Sequence, residues 1–218
     1  MFKKFYFSVS IVLTLIMIFN TYASTRRANE AVKECGIYKY EDMPYGKNRE
    51  RQNFDLYIPE NVSGDVNMKL YIHGGAWSSL DKSSELPAVE HDAKCGVVSA
   101  TLNYRFADKN DKASVNDILN DITSALRKIK AIGKKHNINI RKTLMDGGSA
   151  GGHLVLLYAY SRYDEAPIKP ALVIAKCPVS DSSVLLATIQ ANATRMQYDP
   201  ATGEFYQMIE METEAQNG

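Results

Sequence analysis

The sequence has little net charge, and no repeat or low-complexity stretch. Its 26 basic and 25 acidic residues leave a formal net charge of +1. Nothing in this balance points to nucleic acid or to an anionic surface as a partner, and we expect no nucleic acid to bind. A chain of 218 residues with 45% hydrophobic and 23% charged residues is typical of one ordinary globular domain.

Cysteine is also scarce. The chain has Cys35, Cys95 and Cys177, an odd number that leaves at least one thiol unpaired within the chain. Their spacing does not indicate a metal site, and we expect neither a metal nor a cofactor. A bridge between Cys35 and Cys95 stays open, although nothing in the sequence favours it. Cys177 lies inside an apolar run and is expected to be a buried core residue.

The N-terminus has no apolar run long enough for an ordinary membrane-spanning helix. Lys3 and Lys4 precede an apolar stretch over residues 5–19, and small residues follow up to Ala23. This arrangement is typical of a secretory signal peptide, whereas a spanning helix needs about 20 apolar residues. The pattern predicts a signal peptide over residues 1–23, a polar leader over 24–35 and a secreted or periplasmic product. After cleavage no membrane association is expected; the alternative is an uncleaved N-terminal anchor.

A G-x-S-x-G pentapeptide at residues 147–151 is the centre of the chain. An apolar stretch over 143–145 precedes it and an apolar run over 154–160 follows. Such a strand–turn–helix context is typical of a nucleophile elbow, in which glycines remove the Cβ atoms that would collide in a sharp turn. The pattern predicts Ser149 as a nucleophile. A glycine-rich loop with an incidental serine is the alternative.

A second glycine motif lies upstream. An apolar strand over residues 68–72 runs directly into the loop of residues 73–77, which reads His-Gly-Gly-Ala-Trp. Adjacent glycines let backbone N–H groups approach a ligand closely, as an oxyanion hole requires. A plain turn with a structural His73 is the alternative, but the presence of both motifs in this order favours the oxyanion hole.

Strand and helix patterns alternate along the chain. Residues 53–58 alternate apolar and polar, which predicts an edge strand or a half-exposed strand. Residues 97–102 and 171–177 are typical of buried strands. The longest predicted helix covers residues 115–136. This alternation predicts an α/β fold with a mostly parallel sheet. We expect one domain over residues 36–190 and a polar tail over 191–218.

These motifs together resemble the α/β-hydrolase carboxylesterases, the group that includes hormone-sensitive-lipase-like and feruloyl-esterase-like enzymes. The resemblance rests on residues 54–59, 73–77, 103–105, Asp121 with 125–126, and 148–154. It implies a sheet with helices on both faces and a small-molecule ester as substrate.

The resemblance also implies roles for individual residues. Ser149 would be the nucleophile, and the oxyanion hole would consist of the N–H groups of Gly74, Gly75 and Ala150. His73 and Trp77 would belong to the substrate-binding loop, where Trp77 would line the pocket or pack beneath the loop. By the same resemblance, Arg105 and Asp121 are structural.

The chain lacks a visible acid and base for its serine. In this fold the order along the chain is serine, then Asp or Glu, then His. His153 follows Ser149 by four residues, in a stretch that the family uses for packing, and His91 and His136 precede the serine. We therefore expect the last strands of the fold to be missing, as in a C-terminally truncated hydrolase with weak or absent activity. A non-catalytic ligand-binding protein and an unstable fragment are the alternatives. An uncovered sheet edge would favour self-association.

Overall fold

The computed structural model describes residues 31–179 and the backbone of residues 196–199 and 204–207. The predicted signal peptide, residues 24–30 of the predicted leader and most of the predicted tail lie outside the described residues. No helix in the described part is long and apolar enough to cross a membrane.

A seven-stranded mixed sheet forms the centre of the fold. Its strands are β1 (Val32–Glu34), β2 (Ile37–Pro44), β3 (Asn53–Pro59), β4 (Gly64–Ile72), β5 (Val98–Leu102), β6 (Ile138–Gly148) and β7 (Lys169–Lys176). They lie in the order β1-β2-β3-β5-β4-β6-β7. Strands β5, β4, β6 and β7 are parallel, whereas β1, β2 and β3 extend the sheet with antiparallel pairs. The predicted α/β class is confirmed.

Three helices cover the two faces of this sheet. They are α1 (Leu86–Lys94), which follows a 3-10 turn at Lys82–Glu85, α2 (Val115–Lys135) and α3 (Ala150–Ser161). Helices α2 and α3 bury the larger apolar core, and α1 buries a smaller cluster that includes Tyr57 and Tyr71. Because neighbouring residues of a strand point to opposite faces, strands β2, β3 and β4 contribute residues to both clusters.

A second unit begins at Val179. It contains β8 (Met196–Asp199) and β9 (Glu204–Gln207), which pair with each other in antiparallel fashion.

Helix α2 begins and ends where its sequence directs. Ser114 forms a capping box: its hydroxyl accepts from the Asp117 N–H at 3.1 Å, and its own N–H donates to the Asp117 carboxylate at 2.9 Å. Lys134 and Lys135 in the last turn face the negative end of the helix dipole. The predicted helix over 115–136 agrees with the observed one to within a residue.

Two sequence expectations about exposure were wrong. Strand β3 is buried along its whole length, not half-exposed, because β2 and β5 flank it and helices cover both of its faces. Cys177 is exposed, not a core residue, because it follows β7 at the edge of the sheet.

Within the predicted leader, Val32–Glu34 form β1. This strand pairs with β2 through a turn at Cys35 and Gly36, whose φ angles are 49° and 75°.

Candidate active site

Ser149 occupies a strained turn between β6 and α3. Its backbone has φ 51° and ψ −119°, a region that non-glycine residues rarely adopt. Two hydrogen bonds hold it there: the Ser149 N–H donates to the Lys176 carbonyl at 2.8 Å, and the Ser149 carbonyl accepts from the His153 N–H at 3.0 Å. The residue is exposed at the carboxyl end of β6, so its side chain is accessible to a substrate.

Glycines allow the elbow to lie directly on the sheet. A Cβ atom at Gly147 would be 2.5 Å from the Gly151 carbonyl carbon, and one at Gly151 would be 2.1 Å from the Ile72 carbonyl oxygen. Real Cβ atoms do not approach so closely. The first turn of α3 therefore packs on the backbone at the ends of β6 and β4, and this places the elbow beside the loop that follows β4.

The two glycine motifs lie next to each other. A Cβ atom at Gly74 would be 3.5 Å from the Ser149 Cβ and 3.0 Å from the Gly148 carbonyl oxygen. Within residues 31–179, no backbone carbonyl accepts from the N–H groups of Gly74, Gly75 or Ala150. Ala150 begins α3, where N–H groups lack partners within the helix and the dipole is positive. Such an arrangement can stabilise a developing oxyanion.

The loop after β4 is folded tightly around one carbonyl group. The Gly75 carbonyl accepts from the Ser78 N–H at 3.0 Å, from the Ser79 N–H at 2.9 Å and from the Ser79 hydroxyl at 2.8 Å. Gly75 has φ +94°, and Ala76 and Trp77 also have positive φ angles, of 50° and 58°. The loop is thus a compact turn that holds its backbone in one conformation.

His73, at the start of this loop, packs in the interior of the fold. Its ring is fully buried and stacks on Tyr104, with centroids 4.3 Å apart and planes 9° apart. The Tyr104 hydroxyl donates to the carbonyls of His73 and Gly74, each at 3.0 Å. Burial lowers the pKa of His73, so the neutral ring is favoured. Because a fully buried ring cannot contact a substrate, the structure does not agree with the substrate-binding role predicted for His73.

Trp77, in the loop after β4, is partly buried. Its ring meets His153 edge to face, with centroids 5.2 Å apart and planes 84° apart. The Trp77 Nε1 and His153 Nδ1 atoms are buried and have no hydrogen-bond partner in the described part of the chain. Burial lowers the pKa of His153. His153 thus packs against the oxyanion loop, one turn after Ser149.

No histidine within the described ranges is hydrogen-bonded to the Ser149 hydroxyl. His91 lies near the end of α1, and His136 caps α2, where its Nε2 is 2.6 Å from the Tyr40 hydroxyl. A helix that joins two parallel strands runs back along the sheet, so both helices end away from the carboxyl edge where Ser149 lies. In the same part of the chain, no group of three or more His, Cys, Asp or Glu side chains could hold a metal ion.

A buried polar network, which the sequence did not reveal, anchors the connection between β4 and α1. The Lys82 Nζ atom is buried and lies 2.8 Å from Asp55 and 2.9 Å from Asp42. Asn103 accepts from the Lys82 N–H at 2.7 Å and donates to the Asp81 carboxylate, also at 2.7 Å. Burial lowers the pKa of Lys82, but hydrogen bonds to the two carboxylates outweigh burial and raise it above its ordinary value. The available signal in the sequence was the charged Asp55 between the apolar residues Phe54 and Leu56.

Arg105 and Asp121 take a structural position. The Arg105 guanidinium donates to the buried Asp121 carboxylate from Nε at 2.9 Å and from Nη2 at 2.8 Å, and Gln52 donates to the same carboxylate at 2.8 Å. These bonds connect the segment after β5 to α2 and leave the carboxylate fully paired.

A sharp strand–serine–helix turn that meets a glycine loop at the carboxyl edge of this sheet defines an α/β-hydrolase of the carboxylesterase type. The BD-FAE family model matches residues 54–199, more than half of the chain, and the chain belongs to this family.

The chain is also similar to individual relatives and to solved structures. Kynurenine formamidase from Danio rerio is 29% identical over 168 residues, which cover 73% of this chain and 53% of the relative. Kynurenine formamidase from Salmo salar is 31% identical over 140 residues, or 62% and 44% of the two chains. Esterase B from Lactobacillus rhamnosis, a solved structure, shares the fold with a TM-score of 0.59 at 23% identity, covering 85% of this chain and 63% of that one. This chain spans about half the length of the two curated relatives.

Proposed function

We propose that this chain is a serine carboxylesterase-type hydrolase that acts on a small-molecule ester. Ser149 would attack the ester carbonyl carbon, and the N–H groups of Gly74, Gly75 and Ala150 would stabilise the oxyanion that forms. The close approach of Gly74 to the Ser149 elbow carries this proposal, and it is supported by the N–H groups of Gly74, Gly75 and Ala150, which donate to no backbone carbonyl within residues 31–179.

The rate of this reaction depends on a base for Ser149, and no histidine in residues 31–179 is hydrogen-bonded to its hydroxyl. A serine hydroxyl must lose its proton as it attacks, and a histidine oriented by a carboxylate usually accepts it. His73 and His153 are both occupied by packing against aromatic rings. We therefore expect slow turnover by this chain alone. An oxyanion hole and binding without the full triad still leave about 1,000- to 10,000-fold acceleration over water.

Hydrolysis of an N-formyl amide is a second candidate, favoured by the two kynurenine formamidases among the relatives. An amide carbonyl passes through the same type of tetrahedral oxyanion as an ester, so the same loop and serine would serve both. Comparing N-formylkynurenine with p-nitrophenyl acetate on one preparation distinguishes the two candidates.

The decisive experiment combines turnover with covalent labelling. The purified chain is assayed for p-nitrophenyl acetate hydrolysis and treated with a fluorophosphonate, and the labelled residue is located by mass spectrometry. We expect Ser149 to carry the label and Ser149→Ala to lose both label and hydrolysis. Ser161→Ala, which changes an exposed serine at the end of α3, is the matched control and should behave as the parent.

Each alternative has its own result. A chain that melts cooperatively but neither labels nor hydrolyses would favour the non-catalytic alternative over the esterase. A chain without a cooperative melt would be an unstable fragment.

We also propose that the chain is exported, because residues 1–23 have the layout of a secretory signal peptide. Fractionation of expressing cells, followed by N-terminal sequencing, tests this. An N-terminus at Ser24 is expected, and a retained Met1 would contradict cleavage.

A further inference from the structure

An open cleft of about 610 Å³ lies at the end of the sheet away from Ser149. Its walls come from three segments: the β1–β2 turn, the chain after β3 and the C-terminal end of α1. Cys35 lies in the first of these and Cys95 in the last, and both are exposed, free thiols. Cys177 is not among the residues that line the cleft.

A series of contacts between β2 and α1 leads up to the two cysteines. The Lys39 Nζ atom lies 3.5 Å from the Glu90 carboxylate. Two residues earlier in β2, Ile37 packs in the same apolar cluster as Ala93 of α1. Cys35 lies two residues before Ile37 in the sequence, and Cys95 lies two residues after Ala93. Both cysteines therefore adjoin the region where β2 packs on α1, and both line the cleft.

The surroundings of Cys95 suit thiol chemistry. The His91 Nε2 atom is 3.8 Å from the Cys95 Sγ atom and can accept the thiol proton. In the described part of the chain these residues do not form a group able to hold a metal ion. A reaction between the two thiols therefore fits this cleft better than metal binding does.

We propose that Cys35 and Cys95 form an intramolecular disulfide that closes the cleft. With oxidised glutathione as the oxidant, the Cys95 thiolate attacks one glutathione sulfur, and a first glutathione leaves as the thiol. The Cys35 thiolate then attacks the Cys95 sulfur of the mixed disulfide, and the second glutathione leaves. The protein loses two electrons and two thiol protons, and both appear on the two reduced glutathione molecules.

The hairpin is placed so that it can make this bond. Strand β1 pairs with β2 alone within the seven-stranded sheet, and the Gly36 carbonyl in the β1–β2 turn accepts from the Glu60 N–H at 2.8 Å, which holds Cys35 beside the cleft. A disulfide requires Cα atoms roughly 4.4–6.8 Å apart. The bond would join the β1–β2 turn to the α1–β5 connection and close a long loop of the chain. Closing such a loop lowers the conformational entropy of the unfolded chain and so stabilises the folded state.

The test counts free thiols in the folded full chain. The protein is incubated with oxidised glutathione, blocked with N-ethylmaleimide, and analysed by intact mass and by peptide mapping without reduction. We expect one maleimide per chain, on Cys177, and a cross-linked peptide pair that contains Cys35 and Cys95. Oxidation should raise the Tm by roughly 5–10 °C.

Single variants supply the controls. Cys177→Ser should keep the disulfide and the Tm increase and take up no maleimide. Cys35→Ser and Cys95→Ser should each lose the disulfide and show no increase. Chains oxidised in urea should give a mixture of all possible pairs, which isolates the contribution of the fold. Three maleimides on the oxidised chain, a cross-link between chains, or a pair that includes Cys177 would overturn the proposal.

Discussion

Replacing Gly75 with alanine tests the oxyanion loop most directly. A Cβ atom there would lie 2.1 Å from the Ser79 carbonyl oxygen and 2.6 Å from its carbon. An ordinary contact needs more than 3 Å, so Ser79 must move by about 1 Å or more. That movement pulls the Ser79 N–H and hydroxyl away from the Gly75 carbonyl, which now accepts from both.

The size of the effect follows from these contacts. A residue with a side chain at φ +94° costs about 1–3 kcal/mol, and each weakened hydrogen bond adds about 1 kcal/mol. We expect Gly75→Ala to lower the free energy of unfolding by roughly 2–4 kcal/mol. The displaced Gly75 N–H should slow fluorophosphonate labelling of Ser149 by about 100-fold or more.

Gly64→Ala is the matched control. Gly64 also has a positive φ, +72°, but a Cβ atom there would meet nothing within 4 Å. This variant carries the backbone strain without the collision, so it should lose about 1–2 kcal/mol and label at the parental rate. Urea melts and labelling time courses measure both quantities. Equal stability and equal labelling in the two variants would refute the reasoning.

Three further predictions concern other parts of the fold. Burial holds the pKa of His73 below its ordinary value of 6.5, so the unfolded chain takes up a proton first and the free energy of unfolding should fall as pH drops below about 6.5. Urea melts across this pH range should show a shallower fall for His73→Gln than for the parent chain. An equally steep fall in the two proteins would contradict this prediction. Asp121→Ala removes the main partner of the partly buried Arg105 guanidinium and should lower the free energy of unfolding by about 2–4 kcal/mol in the same assay. Asp65→Ala, which breaks a surface ion pair, should lower it by less than about 1 kcal/mol. Equal losses in the two variants would argue against a structural role for the Arg105–Asp121 pair. Leu172 is 55% exposed on β7, a strand at one edge of the seven-stranded sheet. If the parent chain self-associates through this edge, Leu172→Glu should elute later than the parent in size-exclusion chromatography, whereas Val32→Glu, on the opposite edge, should elute with the parent. A monomeric parent would contradict self-association.

Local features of the site could be predicted because short stretches of sequence specify them. The glycines at 147 and 151 permit one sharp turn, and the paired glycines at 74 and 75 permit a close backbone approach. The apolar pattern of residues 115–136 and the Ser114 cap specify one helix. Each of these depends on neighbours along the chain, so a single sequence is enough to predict it.

Burial and long-range contacts required the tertiary structure. Strand β3 looked half-exposed because its alternation says nothing about which strands flank it or which helices cover it. Cys177 looked buried because an apolar run does not reveal that β7 lies at the sheet edge. The full burial of the His73 ring depends on Tyr104, which is distant in sequence.

The sequence alone determined the fold class, the elbow around Ser149 and the glycine loop that faces it. Only the tertiary structure decided that Lys82 is buried between two carboxylates and that Cys35 and Cys95 line one cleft. The physical reason is the range of the interactions. Periodicity and turn chemistry act over a few residues, whereas burial and pairing depend on the order of strands in the sheet, which brings together segments far apart in the chain.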